Sequence, residues 1–490
     1  MESNDLKPLW EDFSYKAHQV TGIQWMLQRE TEANSAGACG GLLCDEMGLG
    51  KTIEILGLIH NSEIRTTLLL CPKAVIEQWC KAATKSRINV SVLKGEAWSI
   101  PSPFFSSRPC LYITNYDKVA NKPLCFVGRT WGRIVMDEAH RLKNRASKLY
   151  QIIDGLSRNA TWCVTATPVV NDLRDIRNLF GLVGFDRQKL LNYNYLLEVV
   201  QQSLLHRSME EMRAVLPELP SAALIQKQPL DFVSEDEAEF YRGVQGQLMR
   251  RWRSLPNDSV TAKFALLMRL RQLSVHPQVY INARRKGTVT YEREDWSTPS
   301  TKFTTLRNMI VDEREPTRWI IFCQFHDEME ILQAFLERNP AVWRVQQYHG
   351  GMKDTEKEEV IQSTFAAAPG QTTDAPKRHD ILLLQLQSGG VGLNLQHFTR
   401  VIFMSPWWTA ALMDQAIGRA VRIGQTEQVK VTLLLLKEEA SMNIDSAMIA
   451  KAESKRDLLS NLFRHASKGF VVEEPEEDEA EEAEEDPMDV

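Results

Sequence analysis

Asp45-Glu46-Met47-Gly48-Leu49-Gly50-Lys51-Thr52 follows the apolar run Gly41-Leu42-Leu43-Cys44 and precedes Ile53-Glu54-Ile55-Leu56-Gly57-Leu58-Ile59. Strand, glycine turn and helix in that order make a phosphate-binding loop. Gly48 and Gly50 let backbone N–H groups turn toward an anion, the helix dipole adds positive potential, Lys51 can reach terminal phosphates and Thr52 can ligate Mg²⁺. The strict pattern G-x-x-x-x-G-K-S/T fails at its first glycine, where Asp45 stands. The rest of the chain must therefore supply what such a loop needs.

Strand-like and helix-like stretches alternate after the loop. Thr67–Cys71, Val90–Leu93, Leu111–Thr114, Arg133–Met136 and Trp162–Val164 are predicted strands, and the alternation implies a parallel sheet covered by helices. The fourth runs straight into Asp137-Glu138-Ala139-His140. A carboxylate at a strand's carboxyl end can hold Mg²⁺, and the adjacent Glu138 can orient or deprotonate an attacking water. Upstream, Lys16 to Leu27 has apolar residues at helical spacing, and its Gln19 can read an adenine edge by donating and accepting at once. Thr165-Ala166-Thr167-Pro168 follows the last strand and could sense the state of the site.

The motifs D-E-M-G-L-G-K-T, C-P-K-A-V-I-E-Q-W (Cys71 to Trp79), I-T-N-Y-D (Ile113 to Asp117), D-E-A-H and T-A-T-P together resemble the first motor lobe of the Swi/Snf-type ATPases. These are superfamily 2 helicase relatives that translocate on double-stranded DNA. An aspartate at the start of the phosphate loop is usual among them. Leu204 to Ser208 and Leu266 to Pro277 resemble the stretches that close the first lobe and lead to the second.

A second alternation begins near Lys302, with predicted strands Trp319–Cys323, Val345–His349, Ile381–Leu384 and Val401–Met404 but no second Lys-Thr loop. Within Gln415 to Gln425, Arg419 and Arg422 stand three apart, which on a helix puts them on one side. Guanidinium groups on a transferring phosphoryl stabilise its spread charge, and Q-x-x-G-R-x-x-R-x-G-Q resembles the family's arginine-finger motif. Ser388 to Leu395 resembles the preceding motif, which implies nucleotide contact at Gly392 and DNA contact at Ser388 and Gly389, while the arginine motif implies nucleotide contact at Gln415. Thr409-Ala410 after the tryptophan pair Trp407-Trp408, and Val421 between the arginines, depart from the family pattern.

The resemblance implies an α/β fold of two tandem RecA-like parallel-sheet lobes. Residues 1–224 form the ATP-binding lobe, 225–298 a helical connection, 299–470 the second lobe and 471–490 a disordered acidic tail. It also implies an ATP- and Mg²⁺-dependent double-stranded DNA translocase. Asp45 to Thr52 would bind nucleotide, with Gln19 on adenine; Thr52 and Asp137 would hold the metal; Lys51, Asp137, Glu138, Arg419 and Arg422 would carry the chemistry. The implied DNA grips are Pro72, Lys73, Lys94, Asn115 and Tyr116 in lobe one, with Gln324, His349, Gly350, Ser388, Gly389 and Trp407 in lobe two. D-E-A-H also occurs in RNA-dependent ATPases, and a histone-binding scaffold working through the acidic tail is a reading from another class.

Composition sets the outer limits. A chain of 490 residues suits two or three domains, and no apolar run approaches the roughly 20 residues of a membrane span. The start Met1-Glu2-Ser3-Asn4-Asp5 lacks signal-peptide character, so a soluble protein of the nucleus, or of a viral replication site, is expected. The eight cysteines include no C-x-x-C pair, which favours buried thiols and excludes a RING finger. Twelve acidic and no basic residues lie between Glu473 and Val490, so the net charge of −6 leaves +6 on residues 1 to 472. A basic body suits nucleic acid or nucleosomes, and an acidic tail suits a basic partner. Accessory subunits would choose among remodelling tasks. The Arg250-Arg251-Trp252-Arg253 cluster reads as an exposed helix face.

Overall fold

The computed structural model describes residues 6–32, 37, 39–95, 97–98, 108–287, 291–339, 341–365, 379–386, 393–422, 424–437 and 443–468. Two parallel sheets organise it. The first contains β1 (Cys39–Leu43), β2 (Thr66–Cys71), β3 (Asn89–Lys94), β4 (Ala97–Trp98), β5 (Cys110–Asn115), β6 (Trp131–Asp137), β7 (Arg158–Val164) and β8 (Leu204–Leu205). Their spatial order is β4-β3-β5-β2-β6-β7-β1-β8, parallel except for the β3–β4 pair. The second contains β9 (Leu224–Leu230), β10 (Arg318–Cys323), β11 (Val342–Tyr348), β12 (His379–Gln385), β13 (Arg400–Phe403) and β14 (Lys430–Leu436), in the order β11-β12-β10-β13-β14-β9 and parallel throughout.

The central strands of both sheets are buried on two faces, which is why they read as continuous apolar runs. Successive residues feed opposite cores. Leu68, Leu70, Ile134 and Met136 enter one layer, while Leu69, Cys71, Val135 and Val164 enter the other. The second sheet repeats this, with Trp319, Ile321 and Leu383 on one side and Ile320, Phe322 and Leu384 on the other. Five cysteines are buried and three half-buried, all free thiols, as their apolar surroundings imply.

The lobes divide differently from the sequence reading. Residues 225–298 were expected to form a separate connection, yet Leu224–Leu230 is an edge strand of the second sheet, paired along its length with β14. Its Gln226, Lys227 and Pro229 face the requirements of an edge and hide the strand from an apolar-run search. The helices Glu235–Ser254, Val260–Val275 and Pro277–Gly287 share a core with that sheet: Phe240, Leu270 and Ile281 pack with Phe303, Trp319 and Ile321. Arg250, Arg251 and Arg253 are exposed on the first of these helices.

The chain's last helix, Ile444–Phe463, also crosses the expected boundary. It starts in lobe two, where buried Lys302 donates to Asp445 Oδ2 at 2.7 Å and Ile444 and Met448 join the core. It ends in lobe one, where Leu462 and Ala466 are buried against Leu204 and Val200. There Phe463 stacks on His206 with ring centroids 3.6 Å apart, and Ser467 bridges the edge of β8 in parallel. The predicted tail, 471–490, lies outside the described residues.

Candidate active site

The carboxyl ends of the strands carry the candidate residues, as expected for an open parallel sheet. From β1 the chain turns through Gly48 (φ +94°) and Gly50 (φ +92°) into the helix Lys51–Asn61. The left-handed backbone of Gly50 calls for glycine, and a Cβ there would also lie 2.5 Å from the end of the Gln19 side chain, at Nε2. Gln19 is buried on the helix Ala17–Thr31, its Oε1 accepting from Lys16 N at 3.1 Å. Its neighbour His18 donates through Nε2 to Leu49 O at 2.8 Å. Lys51 Nζ is held by the carbonyls of Asp45 at 2.6 Å and Glu46 at 3.1 Å.

Asp45 itself does not face the cleft. It is fully buried, accepting from Arg207 N and Nε at 2.9 Å each. The residue that breaks the strict loop pattern is thus a structural strut. Its backbone has no positive φ, so a glycine is not required there. Behind the loop, Leu49 packs against Met209, Met212, Leu216 and Leu219, and Glu46 Oε2 accepts from Met209 N at 2.7 Å.

Asp137 ends β6. Trp79 Nε1 donates to its Oδ2 at 2.9 Å and Glu138 N to its Oδ1 at 3.0 Å. Burial, reinforced by the neighbouring Glu138 carboxylate, pushes the Asp137 carboxyl above the usual range. Glu138 behaves oppositely. Burial raises it, but His140, Lys51 and Arg419 together outweigh that and hold it below the ordinary carboxylate value. His140 Nδ1 lies 3.3 Å from Glu138 Oε2 and 3.1 Å from Thr165 Oγ1, which also accepts from Thr167 N at 3.1 Å. The T-A-T-P turn therefore contacts the acidic pair through one imidazole. Glu138 holds φ +54° and ψ +47°, a left-handed conformation that costs a non-glycine residue about 1–2 kcal/mol.

Lobe two completes this cleft. A cavity of about 310 Å³ is lined by Met47, Gly48, Gly50, Lys51, Thr52, Trp79, Asp137, Glu138, Thr165 and, from the other lobe, Arg419 and Arg422. A Cβ on Gly418 would come within 3.4 Å of Met47 Cβ, so the two motifs touch. The reason for the arginines' common direction differs from the sequence argument. The helix Ala410–Ile417 ends before Arg419, and Ala420 N and Val421 N both bond to Ile417 O in a tight turn at 3.0 Å. Gln425 secures that turn by donating to Gln396 O at 2.5 Å and Phe398 O at 3.2 Å. Burial lowers the Arg419 pKa to about 10, opposed by Glu138, which leaves it cationic at neutral pH. Gln415 is buried nearby in sequence, and Val421 fills the second-lobe core.

The candidate DNA grips separate into groups. Lys73 after β2 is exposed and reaches Asp354 Oδ2 of lobe two at 3.3 Å, so these edges face each other. Gln324 follows β10, and His349 and Gly350 follow β11; Gly350 N donates to Gln385 Oε1 at 3.1 Å. Four of the expected contacts are turned inward in this structure. Pro72 is buried, Tyr116 is buried with its hydroxyl on Asp137 O at 2.6 Å, and Asn115 caps its own helix by accepting from Lys118 N at 2.9 Å. Trp407 is likewise buried, with the guanidinium of buried Arg271 4.4 Å from its ring centroid. Lys94 ends β3, and its side chain is outside the described set, as are Ser388, Gly389 and Gly392 entirely.

Sequence reasoning assigned no role to Arg207, Trp79 or Arg271. Arg207 and Arg271 could have been suspected only as charges inside otherwise apolar stretches.

The chain is similar to known proteins. A model of the SNF2-related domain matches residues 18–279, and one of the helicase conserved C-terminal domain matches 301–424. A probable global transactivator of Orgyia pseudotsugata multicapsid polyhedrosis virus is 27% identical over 91% of both chains. The human SWI/SNF-related matrix-associated actin-dependent regulator of chromatin subfamily A member 1 is 25% identical over 89% of this chain, which spans 42% of that relative's length. The SWI2/SNF2 ATPase core of Sulfolobus solfataricus in complex with dsDNA is 20% identical, covers 94% of this chain and 99% of its own, and overlays with a TM-score of 0.40. A family model that takes in more than half of the chain is matched around the loop and carboxylates that the fold brings together, and on that ground the chain belongs to the SNF2-related, Swi/Snf-type family of helicase-like ATPases.

Proposed function

We propose that the chain is an ATP-dependent translocase on double-stranded DNA, working in chromatin remodelling or repair in the nucleus or at a viral replication site. The observation that carries this reading is that Arg419 and Arg422 of lobe two line the same cavity as Lys51, Asp137 and Glu138 of lobe one. ATP enters with its phosphates on Gly48 to Thr52 and its adenine toward Gln19. Glu138, kept anionic by His140, orients and deprotonates the attacking water, and the two guanidinium groups meet the charge that develops on the phosphoryl. Closure of the lobes is thereby a condition of chemistry.

A Mg²⁺ ion fits the residues present. Such ions take one or two carboxylates plus phosphates and water. Among the described residues no cluster of three or more His, Cys, Asp or Glu exists, whereas Thr52 and Asp137 line one cavity. Bound there by Thr52 and Asp137, Mg²⁺ would neutralise charge on the phosphates.

Lys73, Gln324, His349 and Gly350 would address a phosphate backbone, and sequence-independent, salt-sensitive binding would follow. Nucleosomes and accessory subunits are the partners that this activity and the human relative suggest. The deciding experiment is steady-state ATPase activity with duplex DNA, single strands, RNA and nucleosomes. Stimulation by duplex DNA supports the proposal; stimulation by RNA alone, or none with any of them, refutes it.

A further inference from the structure

Arg207 is fully buried and makes no contact with the cavity, yet its side chain joins three elements of the nucleotide site. Its main-chain N and Nε hold the two carboxylate oxygens of Asp45 at 2.9 Å each, at the start of the phosphate loop. Nη2 pairs with Asp45 and also with Glu54, which lies on the first turns of the helix that the loop feeds. Nη1 donates to the carbonyl of His18 and lies 3.5 Å from Thr21 Oγ1, on the helix that carries Gln19. That helix lies close to the contact. A Cβ on Gly22 would stand 2.1 Å from Glu54 Oε1 and 3.0 Å from Arg207 Nη2, so any larger residue there would have to displace these side-chain ends.

We infer that Arg207 is a positioning residue for the nucleotide, fixing the phosphate loop, its helix and the Gln19 helix in one frame through Asp45, Glu54 and the His18 carbonyl. This rests on reading Asp45 to Thr52 as the nucleotide loop. One planar guanidinium serves all three directions at once, which a lysine ammonium on a flexible stem does not. Charge balance supports the arrangement. Burial raises the Glu54 carboxyl, and the Arg207 guanidinium that it shares with Asp45 opposes that rise. The triad also accounts for the aspartate at a position where phosphate loops ordinarily carry glycine.

The test measures affinity for a fluorescent ATP analogue, together with KM and kcat, on wild type, Arg207→Lys, Asp45→Asn and the double variant. Each single change should raise Kd and KM about tenfold, equivalent to about 1.4 kcal/mol. At saturating ATP kcat should change less than threefold, because Glu138, Arg419 and Arg422 are untouched. The double variant should be no worse than either single one, since both cut the same link. A folded Arg207→Lys with Kd within twofold of wild type overturns the inference, as does a double variant whose losses multiply. If Arg207→Lys does not fold, Asp45→Asn decides alone by the same twofold criterion. A wild-type chain that binds no analogue overturns the nucleotide reading itself, an outcome distinct from wild-type binding with unchanged variants.

Discussion

Glu138→Gln separates chemistry from everything else at this site. Glutamine keeps the length and shape of the side chain and inherits the same left-handed backbone at φ +54°. What it loses is the negative charge that His140, Lys51 and Arg419 hold in place. Removing a positioned general base costs roughly 10²- to 10⁴-fold in rate, or about 3–5 kcal/mol of barrier. Nucleotide affinity should move the other way or not at all, since the change deletes a negative charge from a pocket that receives phosphates. A companion Glu138→Gly variant accepts the left-handed conformation without strain and should be as stable as wild type or about 1 kcal/mol more so, while losing turnover equally. The assays are steady-state ATP hydrolysis with saturating duplex DNA, fluorescent-nucleotide binding, and thermal unfolding of the full chain. Turnover by Glu138→Gln within threefold of wild type would refute the assigned base.

Lys51→Ala should abolish nucleotide binding in the same fluorescence assay; retained binding would show that the loop works through its backbone alone. Arg419→Ala and Arg422→Ala should each cut hydrolysis by on the order of a thousandfold with nucleotide affinity close to wild type; normal turnover in both would mean that lobe two adds nothing to the chemistry. Leu462→Ala empties a site only 1% exposed in the first-lobe core and should cost about 2–5 kcal/mol in urea unfolding; a loss below about 0.5 kcal/mol would show that the last helix is not docked there in solution. His276 is lowered by burial from 6.5 to about 4, so it binds fewer protons folded than unfolded, and its contribution is complete above pH 6.5 and lost as pH falls toward 4. That change is worth about 3 kcal/mol at about 1.4 kcal/mol per pH unit. His276→Asn keeps an acceptor for Gln278 N, now held at 3.0 Å, and should flatten the acid limb of stability between pH 6.5 and 4; an unchanged limb would refute the assignment.

Much of the fold was legible because both sheets are two-sided. A strand buried on both faces writes itself as an apolar run, and Thr67–Cys71 or Trp319–Cys323 could hardly be anything else. The loop and the Asp137-Glu138 pair were legible for a related reason, since their chemistry sits in contiguous residues. What escaped was long-range or one-sided. Leu224–Leu230 is an edge strand whose polar residues are answered by solvent, so no periodicity marks it. The partner that explains Asp45 stands at position 207, and nothing local to either residue announces the pair. Tyr116 and Trp407 were placed on DNA by motif, but their rings fill the interior beside Asp137 and Arg271. Arg419 and Arg422 line one cavity with Lys51, but the helical premise for their common direction is not met by the turn that they occupy.

Because Ile444–Phe463 starts in one lobe's interior and finishes in the other's, the described chain crosses between the halves twice, once between Leu219 and Leu224 and once along this returning helix. Two separated attachments leave a pair of rigid bodies a single easy swing, about the line through both, whereas one attachment would let them tumble freely. Were the proposed translocase to cycle, each stroke would retrace the same arc, so a step along a polymer would have a fixed length and heading even when no part of the grip reads what the polymer spells.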